Sequence, residues 1–191
     1  LKEKGIVNVF YHGGMEQYER ESAMVKFKNG TSNVLITTDL ASRGLDIPNI
    51  KYIVHFHLPP SPDVYTHRNG RTARMMAGGK SVIILSPEEN LPEYISDETT
   101  ELHLHENLEL PEKPKWSTLF IAAGKKDKVN KIDIVGFLSK VGKLKQDDIG
   151  LIEVKDFSSF AAVRKLKASA LIELIKNEKI KGKKVKIAIA K

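Results

Sequence analysis

Cysteine is absent from the 191 residues, and with it go disulfides, thiolate zinc sites and any cysteine nucleophile. No apolar run approaches the roughly 18 residues that a membrane span needs. The N-terminal Leu1-Lys2-Glu3-Lys4-Gly5 leads into only a short apolar stretch, without the long hydrophobic region of a signal peptide. A cytoplasmic location is the expectation. What is present, 41% hydrophobic and 29% charged residues, matches a soluble globular chain with a real core. The length predicts one or two domains. Histidine and carboxylate chemistry stays open.

The net charge of +7 conceals a segregation. Residues 115–191 carry 19 Lys and Arg against 8 Asp and Glu, a net of +11, whereas residues 1–114 carry 12 against 16 and all six histidines. Nine of those acids, with one lysine, lie in residues 86–114. Three segments follow: a first domain at 1–86, an acidic linker at 87–115 and a basic domain at 116–191. So basic a domain points to a polyanionic partner, although charge alone does not distinguish nucleic acid from an anionic membrane or simple solubility.

In the first segment short β-branched runs alternate with helical stretches, the pattern of an α/β parallel sheet with helices on both faces. Strands are predicted at 6–10, 34–37, 52–56 and 81–85. Residues 16–28 read as a helix with Tyr18, Met24, Val25 and Phe27 inward and Glu19, Arg20, Glu21 and Lys26 outward. A second helix starts near Ser61-Pro62, where serine caps and proline suits the first turn. Ligands of such sheets bind at the carboxyl ends of strands, which singles out the loops after Thr37 and Phe56. The linker has prolines at 87, 92, 111 and 114 and no sustained apolar period. The tail reads βαββαβ: strands at 117–123, 149–154, 160–164 and 184–190, helices at 131–140 and 168–177. That is a small α+β sandwich like an RNA-recognition motif, with two helices on one sheet face and the other face open to single-stranded RNA.

Three clusters carry chemistry. Tyr11-His12-Gly13-Gly14-Met15-Glu16-Gln17-Tyr18-Glu19-Arg20 sets glycines at a strand end and Gln17 and Arg20 on one face of a helix N-terminus, where N–H groups and a guanidinium hold phosphate. A turn before a solvated helix face has the same pattern. Thr37-Thr38-Asp39-Leu40-Ala41-Ser42-Arg43-Gly44-Leu45-Asp46-Ile47-Pro48 follows a strand directly; its small residues let backbone approach a phosphate, and Asp46 suits a ribose hydroxyl. An ordinary polar loop is the alternative. His67-Arg68-Asn69-Gly70-Arg71-Thr72-Ala73-Arg74-Met75 puts Arg71 and Arg74 at i and i+3, so that two guanidinium groups address one anion, as arginine fingers do on a transferred phosphoryl group. Alone it reads equally as a basic surface helix.

In this order the clusters resemble the second RecA-like domain of the DEAD-box RNA helicases over residues 1–85. The resemblance implies that Gly13, Gln17, Arg20, Thr38, Arg43 and Gly44 contact the RNA backbone. It further implies that Asp46, Arg71, Arg74 and Gly44 face ATP across an interdomain cleft and that His67 couples that cleft to the partner domain. Ala73 replaces the usual second glycine of the last motif, a mark shared with the DbpA-type subgroup. His57 stands where many members carry an acid and has no assigned role. His55 and His57 would share a strand face; without a third ligand they read as packed or solvated rather than metal-binding, as do His103 and His105.

The tail resembles the RNA-binding domain of the DbpA-type helicases through Leu119-Phe120-Ile121-Ala122-Ala123-Gly124-Lys125-Lys126, Asp148-Ile149-Gly150 and Lys179-Ile180-Lys181-Gly182-Lys183-Lys184. Such domains dock on a structured segment of large-subunit ribosomal RNA. Phe120 is the candidate stacking residue and Phe160 a weaker one, for which core packing is as good a reading. Lys125, Lys126, Lys128, Lys181, Lys183 and Lys184 are the candidate phosphate contacts, each equally readable as a solvated lysine.

Helicases of this family also need a phosphate-binding loop and a Mg²⁺-holding acid on a first RecA-like domain. Gly79-Lys80-Ser81 ends like G-x-x-x-x-G-K-[ST], but the first glycine of that pattern falls at Arg74. The expectation is therefore the C-terminal part of a longer, monomeric, ATP-dependent helicase that remodels structured RNA, ribosomal RNA during ribosome assembly. ATP would be used with Mg²⁺ held by the preceding RecA-like domain in cis. The fragment alone is expected to be inactive, and no membrane partner is expected. The alternative is a non-catalytic RNA-binding module or RNA chaperone.

Overall fold

The computed structural model describes residues 1–42, 47, 50–70, 79–95, 99–104 and 108–190. They fall into two compact units, residues 1–36 with 111–191, and residues 37–110.

The first unit opens with strand β1 (Asn8–Tyr11), helix α1 (Gln17–Lys28) and strand β2 (Val34–Thr37), which pairs with β1. Helix α1 starts where the Glu16 N–H donates to the Glu19 carboxylate at 3.0 Å, satisfying one of the donors that a helix start leaves unpaired. It stops at Asn29-Gly30, with Gly30 at φ 67, a left-handed turn that suits glycine. Ser22, Ala23, Met24 and Val25 are its buried residues, while Tyr18 stays half exposed.

The tail contains β5 (Trp116–Ile121), α3 (Lys131–Lys140), β6 (Ile149–Val154), β7 (Ser159–Arg164), α4 (Lys165–Ile175) and β10 (Ile187–Ile189). A hairpin absent from the sequence reading, β8 (Lys179–Ile180) and β9 (Lys183–Lys184), precedes the last strand. The antiparallel sheet runs β10-β5-β7-β6. Side chains alternate across a strand, so Leu119 and Ile121 of β5 and Ala161 and Val163 of β7 reach one face. There they meet Ile134 and Leu138 of α3 and Leu171 and Ile175 of α4 in a single buried cluster. Each such Leu or Ile gains about 1.5–3 kcal/mol by leaving water. Asn130 caps α3: its side chain accepts from the Asp133 N–H at 3.0 Å, and its own N–H donates to the Asp133 carboxylate at 2.9 Å.

The opposite face is not open as expected. Thr118 and Phe160 have no exposed surface. Asn29 Nδ2 donates to Thr118 Oγ1 at 3.3 Å, the Thr31 and Thr118 hydroxyls lie 2.7 Å apart, and the Tyr18 ring meets Phe120 edge-on at 5.6 Å. Helix α1 and the turn behind it occupy this face, because small residues at Thr118 and Ala162 leave room for a packed neighbour.

The second unit contains β3 (Tyr52–His55), α2 (Pro62–Asn69) and β4 (Lys80–Ile83). Strands β3 and β4 are parallel, Tyr52 opposite Lys80 and His55 opposite Ile83. Ser61 accepts from the Val64 N–H and Pro62 occupies the first turn, as its sequence predicts. The first four strands form two pairs among the described residues rather than one continuous sheet.

Candidate nucleic-acid interface

On α1 the structure brings Gln17 and Arg20 together. Arg20 Nη2 donates to Gln17 Oε1 at 2.7 Å, Nη1 donates to the Met15 carbonyl, and Gln17 Nε2 donates to Glu21 at 2.8 Å. The guanidinium is thus pinned beside the helix start, with positive charge where the helix dipole also favours an anion. Gly13 is exposed, and a side chain there would meet nothing within 4 Å.

In the second unit, Thr38 is exposed and its carbonyl accepts the Ala41 N–H at 3.2 Å, which starts the short turn Asp39–Ser42. His67 is exposed on α2. Arg43, Gly44, Asp46, Arg71 and Arg74 lie outside the described residues, as does His105. Two residues quoted in the motifs without a role join two of the clusters. Arg68 binds Asp39 through Nε and Nη2 at 2.6 and 3.0 Å, a two-pronged ion pair. Opposite charges in two motif clusters were a signal that could have found it. His55 and His57 do not share an environment: β3 ends at His55, which is buried, and the chain turns so that His57 is exposed. Among the described residues no three His, Asp or Glu gather as a metal site. Lys80 and Ser81 are strand residues of β4.

The candidate lysines of the tail converge at one end of the sheet. Gly124 lets the loop after β5 lie against the β6–β7 hairpin, so that Lys125 and Lys126 N–H groups donate to the Lys155 and Asp156 carbonyls at 2.8 Å each. Their side chains stay exposed, as does that of Lys128. Across from this loop stands the β8–β9 hairpin, turned by Lys181 and Gly182 in left-handed backbone. Lys181 Nζ donates to the Lys128 carbonyl at 2.8 Å and pairs with Asp133 at 3.1 Å, and Lys183 pairs with Asp127 at 3.4 Å. The Asn130 N–H, chiefly, and Lys181 hold the Asp133 carboxyl below its usual range. Lys184 Nζ, on the hairpin, lies 3.3 Å from Asn177 Oδ1 in the turn after α4. Asp127 and Asp133 act as organising counter-charges within a surplus of ammonium groups, which leaves a positive edge suited to phosphates. Phe120 contacts Tyr18 and, at 5.7 Å, Phe160, so its ring in this structure is an intramolecular aromatic partner.

Residues 1–76 match the helicase conserved C-terminal domain and residues 118–189 the DbpA RNA binding domain. Over 92% of its length the chain is 31% identical to the ATP-dependent RNA helicase DbpA of Bacillus subtilis (strain 168), and over all of it 34% identical to that of Escherichia coli (strain K12). The chain spans 43% of the length of each. Over 41% of the chain it is 49% identical to DEAD-box ATP-dependent RNA helicase 49 of Arabidopsis thaliana, covering 14% of that protein. Among solved structures, the C-terminal domain of the DEAD-box protein Dbp5 is 33% identical over 46% of this chain and 52% of that one, with a TM-score of 0.42.

Proposed function

We propose that this chain is the C-terminal part of an ATP-dependent DEAD-box RNA helicase that remodels structured RNA, because residues 1–76 match the helicase conserved C-terminal domain and residues 118–189 the DbpA RNA binding domain. The observation that carries the RNA half of this reading is the convergence of Lys125, Lys126, Lys128, Lys181 and Lys183 at one end of the tail, organised by Asp127 and Asp133. In this reading the basic edge holds a structured segment of ribosomal RNA during ribosome assembly. Gln17, Arg20 and Thr38 are in this reading contacts to RNA sugar-phosphate backbone.

The donor set of the motif clusters fits a nucleoside triphosphate: two guanidinium groups, Arg71 and Arg74, for phosphate oxygens, and one carboxylate, Asp46, for a ribose hydroxyl. ATP, when bound, supplies the phosphoanhydride bond whose cleavage drives release of RNA. Arg71 and Arg74 would hold its terminal oxygens and neutralise charge growing there, Asp46 would orient the sugar, and Mg²⁺ would be held by a preceding RecA-like domain in cis. The enzyme acts as a monomer in the cytoplasm.

Arg71→Ala in the full-length enzyme tests this. RNA-stimulated ATPase should fall by about 10³ or more, the scale of an arginine finger, while RNA binding by the tail is retained. Normal ATPase in that variant overturns the assignment.

A further inference from the structure

His55 is 2% exposed at the end of β3, and each of its ring nitrogens has a partner. Nε2 lies 3.1 Å from Asn69 Oδ1 and 3.1 Å from Ser81 Oγ, and the Ser81 hydroxyl itself donates to Asn69 Oδ1 at 3.0 Å. Nδ1 lies 3.4 Å from Arg68 Nη1. The same guanidinium nitrogen donates to the His57 carbonyl at 3.1 Å, while Nε and Nη2 take the two oxygens of Asp39. A guanidinium only donates, so Nδ1 must be the bare nitrogen; an amide oxygen only accepts, so Nε2 must carry the proton. The two requirements arise independently at opposite sides of the ring and select one neutral tautomer.

We propose that His55 is a positioning residue for nucleotide turnover: its bare Nδ1 seats the Arg68 guanidinium, which clamps Asp39 in the turn after β2 to α2, the helix that precedes Arg71 and Arg74 in the chain. The proposal rests on the helicase reading for the turnover and on this geometry for the clamp. Arg68 reaches Asp39 through Nε and Nη2 while Nη1 addresses His55 and the His57 carbonyl, and without an acceptor at Nδ1 one N–H would face a buried ring edge unpaired. Such a loss costs more than the bond contributes when made.

Among the described residues, the charged or titratable groups facing the ring are Arg68 and Tyr65 from α2, whose phenol ring is 5.5 Å away, and Asp39 from the turn; β4 offers the neutral Ser81. Burial, first, and the Arg68 charge lower the His55 pKa from its ordinary 6.5, against the Asn69 bond and Asp39, which raise it. The ring is therefore neutral at neutral pH and charges only on the acid side. A proton on Nδ1 would set N–H against guanidinium and expel Arg68, so the clamp opens as the pH falls through that lowered value.

Ring ¹⁵N spectra of residues 1–191 test the clamp itself. The expected result is an Nε2–H tautomer with a titration midpoint below 6.5 that rises in Arg68→Gln, where a repelling cation is gone. An Nδ1–H tautomer, or a ring protonated at neutral pH, overturns the proposal. In the full-length helicase, His55→Phe should lower kcat about tenfold, equivalent to about 1.4 kcal/mol of barrier, with the KM for RNA unchanged. His55→Asn keeps an acceptor toward Arg68 that does not titrate, so its activity at acid pH relative to neutral pH should exceed that of the native enzyme. Native kcat in His55→Phe, or a native acid limb in His55→Asn, overturns the proposal. If the native full-length protein shows no RNA-stimulated ATPase, the helicase reading falls and the role in turnover with it, while the ¹⁵N result still decides whether His55 seats Arg68.

Discussion

Gly124 holds the lysine loop in place by having no side chain. A Cβ at that position would sit 2.3 Å from the Lys155 carbonyl oxygen and 2.7 Å from that of Asp156, about 1 Å inside ordinary contact for the nearer one. Those carbonyls accept the Lys125 and Lys126 N–H groups. Gly124→Ala therefore lifts the loop off the β6–β7 hairpin. Two hydrogen bonds weaken, at about 0.5–1.5 kcal/mol each, and overpacking adds about 1–3 kcal/mol. The sum is about 2–6 kcal/mol. At about 4–8 °C per kcal/mol for a domain of this size, the thermal midpoint should fall by roughly 10 °C or more. Because Lys125, Lys126 and Lys128 ride on the displaced loop, RNA affinity should fall as well, even far below the midpoint. Gly136→Ala is the control. Its Cβ meets nothing within 4 Å, it lies inside α3, and it should gain about 1 kcal/mol of helix propensity. Melting followed by circular dichroism, paired with an RNA anisotropy titration, separates the two. A Gly124→Ala protein that melts within about 2 °C of the native one refutes the close-approach account.

Two further outcomes can be checked directly. Lys167 donates to Asp148 at 2.5 Å, and this bond, ahead of the Lys145 N–H, holds the Asp148 carboxyl below its usual range. A depressed carboxyl pKa contributes stability above the unfolded value of about 3.9, and that stability is lost as pH falls through the folded value. Asp148→Asn should therefore flatten the acid limb of the stability curve below about pH 4, measured by urea unfolding; an unchanged limb refutes the pairing. Replacing Lys125 and Lys126 with glutamine should make the slope of log affinity against log salt shallower by about 1.4–1.8. RNA binding by the native chain that is equal at low and high salt would exclude phosphate contacts altogether.

Helix α3 shows how far local pattern reaches: the helix read at residues 131–140 has those bounds, and the structure adds at its start a reciprocal cap between Asn130 and Asp133, three residues apart. Ser61-Pro62 at the start of α2 and the strand at Val34–Thr37 were legible for the same local reasons. The β8–β9 hairpin was not, because two-residue strands carry no period and depend on Lys181 and Gly182 adopting left-handed backbone. Arg68 and Asp39 offered opposite charges in two motif clusters, but nothing in a spacing of 29 residues says that their side chains meet.

The segregation of charge, the order of the longer strands and helices in the tail, and the motifs themselves are properties of neighbouring residues, so they are written in the chain. The burial of His55, the occupation of the tail's second sheet face by α1, and the fate of Phe120 are properties of surfaces brought together from distant residues. An alternating strand shows that two faces differ. Which neighbour covers each face depends on shape and hydrogen-bond partners such as Thr31 and Thr118, 87 residues apart, and these exist only once the chain has folded.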